Sequence, residues 1–225
     1  MRFVATLSLL PCIALSLVPS STNADSKKAI DLLANGLDGW ESHLVEDGVK
    51  KEDVWRVEDG VLICKGEPLG YLCTKHKFTN FKLTLQWRWA PGGEPGNSGV
   101  LLRMADKPIS FLTKCAEAQL KSGSAGDLWG FYGFTVKGDP DRTREVKGHD
   151  VLGDFAGLAQ IKNAEKKPGK WNTYDITFDG GDLTVMINGE KVNEATGCDV
   201  VAGSIGLQSE GGEIHFRNIK VTELP

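Results

Sequence analysis

A carboxylate and an amide lie two residues apart in the segment Ala116-Glu117-Ala118-Gln119-Leu120. In a β-strand, Glu117 and Gln119 would share one face and the two alanines the other. A carboxyl group among apolar neighbours has a raised pKa and can serve as a general acid or base. A solvated glutamate on an outer sheet face is the alternative. The Gly-rich segment that follows favours a site lining, with Trp129 as the candidate for ligand contact.

A second set of polar side chains alternates with apolar ones near the C-terminal end. Gln208 and Glu210 lie opposite Ile205 and Leu207 in a predicted strand, and His215 belongs to the same alternation in the next one. A polar sheet face is often simply solvated. If the sheet is concave, the same face forms a carbohydrate groove.

A Gly-rich loop at residues 92–99 leads into the apolar strand that carries Arg103. Four glycines in this loop allow the backbone to approach a ligand closely. An arginine in such a strand is either half of a buried ion pair or a polar clamp in a cleft. The residues alone leave both interpretations open.

Other catalytic motifs are missing from the sequence. It contains no His-Glu-x-x-His, no phosphate-binding loop and no Gly-x-Ser-x-Gly, and its four histidines are scattered. A preformed zinc site therefore has no support.

The elements that would position these residues are almost all strands. Residues 81–89 alternate apolar and polar side chains without a miss, and Asn188-Gly189 is typical of a type I′ hairpin. Only residues 27–33 suggest a short helical turn, and residues 138–170 suggest long loops with one interrupted strand. Many strands and 27 glycines in 225 residues predict an all-β, two-sheet sandwich of jelly-roll type.

Charge limits the class of partner. The chain has 26 Lys+Arg against 30 Asp+Glu, a formal net charge of −4, and its basic residues occur in short pairs only. Nucleic acids are recognised through extended basic surfaces, so a nucleic-acid partner is not expected.

The N-terminal segment is typical of a secretory signal peptide. Arg2 gives a positive start, residues 3–18 are mostly apolar, and Thr22 and Ala24 suit a cleavage site. A membrane anchor is the alternative, but this apolar run is shorter than the ~20 residues that span a bilayer. We expect residues 1–24 to be removed and residues 25–225 to form one periplasmic or extracellular domain without a membrane span.

Export would make disulfides relevant, because four cysteines remain after residue 24. Cys64 and Cys73 bracket a turn-rich segment, which allows a bridge across a hairpin and leaves Cys115 to pair with Cys198. Free buried thiols are the alternative, since a domain of this size needs no disulfide to be stable.

Ten short motifs follow one another along the chain. They are NGLDGW (35–40), WRVEDGVL (55–62), GYLCT (70–74), FKL (81–83), GNSGV (96–100), EAQL (117–120), KWNTY (170–174), ING (187–189), IGLQSEG (205–211) and FRNI (216–219). In this order they resemble the 3-keto-disaccharide hydrolase domain family, from about Leu32 to Leu224. The resemblance implies a concanavalin A-like lectin/glucanase sandwich and an exported bacterial glycosidase whose substrates carry a ketone at carbon 3 of the sugar.

The resemblance also implies a chemistry. A ketone at carbon 3 acidifies the hydrogen at carbon 2, so a base can remove it, the anomeric oxygen can leave, and water can add afterwards. The implied roles are a base or acid for Glu117, a second carboxylate for Glu210, ketone contacts for Arg103 and Gln119, and substrate orientation for Asn97 and His215. Family members often have a histidine where this chain has Glu210, so no histidine role is carried over.

This route requires no cofactor. A divalent metal that polarises the ketone, held by Glu117, Glu210 and His215, is the alternative. A lectin-like carbohydrate-binding module that uses the same groove without chemistry is the alternative function, because one fold hosts both.

Overall fold

The computed structural model describes Met1 and residues 28–225; residues 2–24 of the predicted signal peptide lie outside the described residues. The strands are β1 (Ile30–Asp31), β2 (Trp40–Leu44), β3 (Trp55–Glu58), β4 (Val61–Cys64), β5 (Gly70–Thr74), β6 (Phe81–Trp89), β7 (Gly99–Met104), β8 (Cys115–Gln119), β9 (Leu128–Phe131), β10 (Thr143–His149), β11 (Gly153–Leu158), β12 (Asn172–Asp179), β13 (Asp182–Ile187), β14 (Glu190–Ala195), β15 (Ser204–Ser209) and β16 (Ile214–Glu223). A short helix, α1 (Lys51–Val54), precedes β3, and a 3₁₀ turn (Pro140–Arg142) precedes β10.

These strands form two antiparallel eight-stranded sheets. Sheet A has the order β14-β13-β12-β6-β16-β4-β3, and β1 pairs with β16. Sheet B has the order β10-β11-β9-β8-β7-β15-β5-β2. The predicted all-β sandwich of jelly-roll type is confirmed.

The core lies between the sheets and follows from period-two alternation. In β6 the residues Phe81, Leu83, Leu85, Trp87 and Trp89 are all buried, while the residues between them are more exposed. The inward-facing side chains of sheet B, such as Ala116 and Ala118, belong to the same cluster. Burial of this apolar area is the main contribution to the stability of the fold.

The predicted Asn188-Gly189 hairpin is confirmed. Both residues have positive φ angles, +54° and +83°, and they connect β13 to β14. A type I′ turn requires this conformation at both central positions, which asparagine and glycine tolerate.

Two local predictions were wrong. The segment expected to be a helical turn contains β1, whose residues Ile30 and Asp31 pair with Val221 and Lys220 of β16. The segment 138–170, expected to be long loops with one interrupted strand, contains two strands, β10 and β11, that pair as a hairpin. Most residues of β10 are exposed, so its sequence lacks the apolar alternation that would have indicated a strand.

The four cysteines of the described residues are free thiols, which is the alternative that the sequence left open, and neither candidate pairing is present among them. Cys64 packs in the core between the sheets, whereas Cys73 lies with the apolar cluster on the opposite face of sheet B. Cys115 and Cys198 are separated in the same way, because Cys115 belongs to that outer cluster and Cys198 to the core. Burial raises the pKa of the Cys64, Cys73 and Cys198 thiols to about 11.

Among residues 28–225, none of the helices is both long and apolar enough to cross a bilayer.

Candidate functional site

The candidate site lies on the face of sheet B that points away from the core. The alternation of β8 places Ala116 and Ala118 in the core and turns Cys115, Glu117 and Gln119 to the opposite face. The predicted division of this strand into a small-residue face and a polar face is therefore confirmed.

Apolar side chains surround these polar groups. A cavity of about 240 Å³, here called the sheet B cavity, has an apolar wall contributed by Phe111, Leu112, Trp129, Phe131, Leu152 and Phe155. Its polar lining consists of Asn97, Glu117, Gln119, Gln208 and Glu210. A carboxyl group in such surroundings is poorly solvated, which disfavours its charged form.

Glu117 lies deepest among the acidic groups, with 2% of its surface exposed. Burial raises the pKa of its carboxyl well above the usual value, and the negative charge of Glu210 raises it further. Its side chain extends over Gly99 of the neighbouring strand, where an added Cβ would lie 2.5 Å from the Glu117 Oε1. Glycine at position 99 therefore makes room for this carboxyl.

Glu210 is the second carboxylate of the cavity. It follows β15 and forms an isolated antiparallel bridge with Asn97, whose backbone N–H donates to the Gly211 carbonyl at 3.0 Å. Burial raises the pKa of Glu210, but a hydrogen bond from the Asn97 side chain and the positive charge of Lys121 act in the opposite direction. The two carboxyl groups thus have different surroundings, which is the arrangement that separates an acid from a base.

The Gln119 side chain has a fixed orientation. Its Oε1 accepts hydrogen bonds from the backbone N–H groups of Leu120 and Lys121, each at 3.1 Å. The Nε2 group has no acceptor among the residues that the structure describes. It is therefore the donor that this residue can offer to a ligand in the cavity.

Trp129 forms part of the aromatic wall. Its indole is stacked on the Phe131 ring, with centroids 6.4 Å apart and an interplanar angle of 13°, and it covers Gly157 of β11 so closely that any side chain there would collide with it. Aromatic faces of this kind offer large apolar contact area to a bound ring. The structure thus brings five predicted site residues together: Asn97, Glu117, Gln119, Trp129 and Glu210.

Arg103 lies outside the cavity, although the sequence placed it in the site. It is 1% exposed, and its donors reach backbone carbonyls rather than a carboxylate or the cavity. Nε donates to Thr79 O at 2.8 Å, Nη1 to Asp199 O at 2.7 Å, and Nη2 to Gly180 O at 2.9 Å and Asn80 Oδ1 at 3.3 Å, while the guanidinium lies 3.6 Å from the Phe178 ring centroid.

His215 also lies elsewhere, on β16 of sheet A. Its Nε2 is 2.7 Å from the Glu213 Oε1, and its Nδ1 accepts from the Arg88 Nε at 3.3 Å. The metal-ligand set of Glu117, Glu210 and His215 is therefore not assembled. Among the described residues no group of three or more His, Cys, Asp or Glu side chains is arranged to hold a metal ion.

Gln208 is the polar lining residue that the sequence placed on the candidate groove face without assigning it a role in the site. It is 1% exposed, and its Oε1 has no hydrogen-bond partner in the described part of the chain. The sequence feature that could have identified it is its spacing of two residues from Glu210, which places both side chains on one face of the strand.

Comparison with known protein families gives a match over almost the whole described chain. A family model described as the 3-keto-alpha-glucoside-1,2-lyase-like domain matches residues 28–222. The chain belongs to this family. The resemblance inferred from the ten motifs is confirmed, and the region that matches the family includes almost all of the described residues.

Solved structures show the same architecture. A candidate glycosyl hydrolase from Parabacteroides distasonis ATCC 8503 is 24% identical with a TM-score of 0.61, covering 88% of this chain and 100% of that one. Another from the same organism is 28% identical with a TM-score of 0.55, covering 87% and 84%. The carbohydrate-binding module CBM66 from Bacillus subtilis is 12% identical with a TM-score of 0.60, covering 82% and 96%. A comparison with curated proteins found no match.

Proposed function

We propose that the protein is an exported glycosidase that cleaves 3-keto-glycosides by elimination followed by hydration. The observation that carries the proposal is the pair of carboxyl groups, Glu117 and Glu210, in one aromatic-walled cavity with raised but different pKa values. The family membership supports the substrate class. Export rests on the signal-peptide pattern of residues 1–24.

The ketone at carbon 3 makes elimination accessible to ordinary carboxyl groups. Glu210, the more readily ionised of the two, removes the proton from carbon 2, and the electron pair forms an enolate with the ketone oxygen. The bond between carbon 1 and the glycosidic oxygen then breaks, and neutral Glu117 gives its proton to the departing oxygen. Water adds to the resulting double bond, with its hydroxyl at carbon 1 and a proton returned to carbon 2.

The remaining residues of the cavity bind and orient the sugar. The free Nε2 of Gln119 donates to the oxygen on which negative charge develops, the role that fixed hydrogen-bond donors have in acyl-transfer enzymes. Trp129 provides a stacking surface, and Asn97 holds the Glu210 carboxylate. No step uses Arg103 or His215.

A chromogenic substrate tests this proposal. The purified protein is incubated with an aryl 3-keto-glucoside and, as control, the unoxidised glucoside, with and without EDTA. We expect chromophore release from the keto substrate alone, and Glu117→Gln should lower it by about 10²- to 10⁴-fold without a loss of melting temperature. Full activity of Glu117→Gln would contradict the role of Glu117, and loss of activity in EDTA would support the metal-assisted alternative.

A carbohydrate-binding module is the second candidate function, favoured by the structural similarity to CBM66 and by the aromatic wall of the cavity. Binding of keto and ordinary disaccharides without turnover of any keto-glycoside would support it. In that case Trp129→Ala would weaken binding and Glu117→Gln would have little effect.

A further inference from the structure

Gln208 contains a buried polar atom that has no hydrogen-bond partner in the part of the chain that the structure describes. Its side chain lines the sheet B cavity, and no donor within residues 28–225 reaches its Oε1. Buried amide oxygens are normally paired, because an unpaired one loses its hydrogen bonds to water without replacement. A ligand group that donates a hydrogen bond at this point would remove that cost.

Gly99 explains why this atom lies so close to the reacting carboxyl. Strand β7 runs between β15 and β8, so Gln208 and Glu117 approach each other across it. A Cβ added to Gly99 would lie 2.6 Å from the Gln208 Oε1 and 2.5 Å from the Glu117 Oε1. Both oxygens therefore face the same small space above a residue without a side chain.

Gln119 offers the opposite kind of hydrogen bond. Its Oε1 is occupied by two backbone donors, which leaves Nε2 for the ligand. The cavity thus has a fixed donor in Gln119 and an unpaired acceptor in Gln208. A ketone oxygen can only accept a hydrogen bond, whereas a hydroxyl can also donate one.

We propose that Gln208 is a specificity-determining residue, whose Oε1 accepts a hydrogen bond from one hydroxyl of the keto-sugar while Gln119 Nε2 donates to the ketone oxygen. The assignment of the sugar as a keto-sugar rests on the proposed function. A site built to hydrogen-bond a hydroxyl discriminates strongly against the analogue that lacks it, because the buried protein atom then stays unpaired. Gln208 therefore selects for a sugar that carries this hydroxyl.

The test pairs the loss of the acceptor with the loss of each hydroxyl. Aryl 3-keto-glucosides that each lack one hydroxyl are compared with the complete sugar, using the wild type, Gln208→Met and Gln208→Glu. In the wild type one analogue should lose about tenfold or more in kcat/KM. That penalty should disappear in Gln208→Met, which has no acceptor, and persist in Gln208→Glu, which keeps one. Equal penalties in the wild type and Gln208→Met for every analogue would overturn the proposal.

A binding measurement separates this inference from the proposed reaction. The dissociation constants of the same deoxy series, built on the unoxidised glucoside, are measured by calorimetry. A binding penalty that depends on Gln208, together with no turnover of any aryl 3-keto-glucoside, would contradict the glycosidase and uphold the hydroxyl contact. Absence of such a penalty in both binding and turnover would overturn the role of Gln208, even if the enzyme is active.

Discussion

Replacement of Arg103 by methionine separates a structural role from a catalytic one. The change removes the hydrogen bonds that the guanidinium donates to three backbone carbonyls and to the Asn80 side chain. Each carbonyl left unpaired costs about 1–3 kcal/mol, and relaxation of the surrounding backbone reduces the sum, so we expect the free energy of unfolding to fall by about 3–5 kcal/mol. At about 2–4 °C per kcal/mol for a domain of this size, the melting temperature should fall by roughly 10 °C. At about 20 °C, which is about 40 °C below a typical melting temperature, the variant should still be folded. Its kcat/KM should therefore differ from that of the wild type by less than about threefold.

Urea denaturation, a thermal melt and initial rates on an aryl 3-keto-glucoside are the assays. Arg103→Lys is the matched control, because it keeps the positive charge but has one donor nitrogen instead of a planar fork. Its stability should lie between those of the wild type and Arg103→Met. A loss of kcat/KM above about a hundredfold with an unchanged melting temperature would show that Arg103 acts on the substrate and would refute the structural assignment.

Three further changes test the cavity. Gly99→Ala should lower the free energy of unfolding by about 1–3 kcal/mol and kcat/KM by tenfold or more, because the added Cβ would press on the Glu117 carboxyl. Gly93→Ala is the control, because its Cβ would meet only ordinary contacts. Equal rates in both variants would contradict the crowding argument. The pKa of Glu117 is raised in the folded state, so its contribution to stability is present below its ordinary pKa of 4.5 and is lost as pH rises above that value. The melting temperature should therefore fall as pH rises above 4.5, and it should fall less in Glu117→Gln. An identical pH dependence in both proteins would show that Glu117 is not buried as a neutral acid. Trp129→Ala should raise KM about tenfold through lost ring contact, whereas Trp171→Ala on sheet A should leave KM unchanged.

Local alternation predicted the faces of individual strands well. It assigned Glu117 and Gln119 to one side of β8 and the large aromatic residues of β6 to the core, because a period of two depends only on the strand itself. The site face of β8 was therefore available from the sequence.

Arg103 shows where this rule fails. Alternation would place it on the same face as Leu101, which belongs to the outer cluster of sheet B. Its φ angle of +51° breaks the alternation and turns the guanidinium towards Phe178 in the core. A left-handed residue outside glycine is uncommon, and nothing in the strand pattern indicates one here.

His215 lies outside the cavity for a different reason. Its predicted face, opposite Ile214 and Phe216, agrees with their burial in the core. The strand that carries it joins sheet A rather than sheet B, however, and this choice depends on pairing with residues more than a hundred positions earlier. Periodicity contains no information about such distant partners.

The position of β16 has a consequence for how the chain is made. β16 is the last strand of the described residues in chain order, and it lies in the interior of sheet A, hydrogen-bonded to β6 on one side and to β4 and β1 on the other. Until residue 223 has been synthesised, the edges of β4 and β6 remain open and the sandwich has no closed core. A nascent chain must therefore stay unaggregated until β16 has emerged, and a truncation before β16 deletes the centre of a sheet instead of an edge strand.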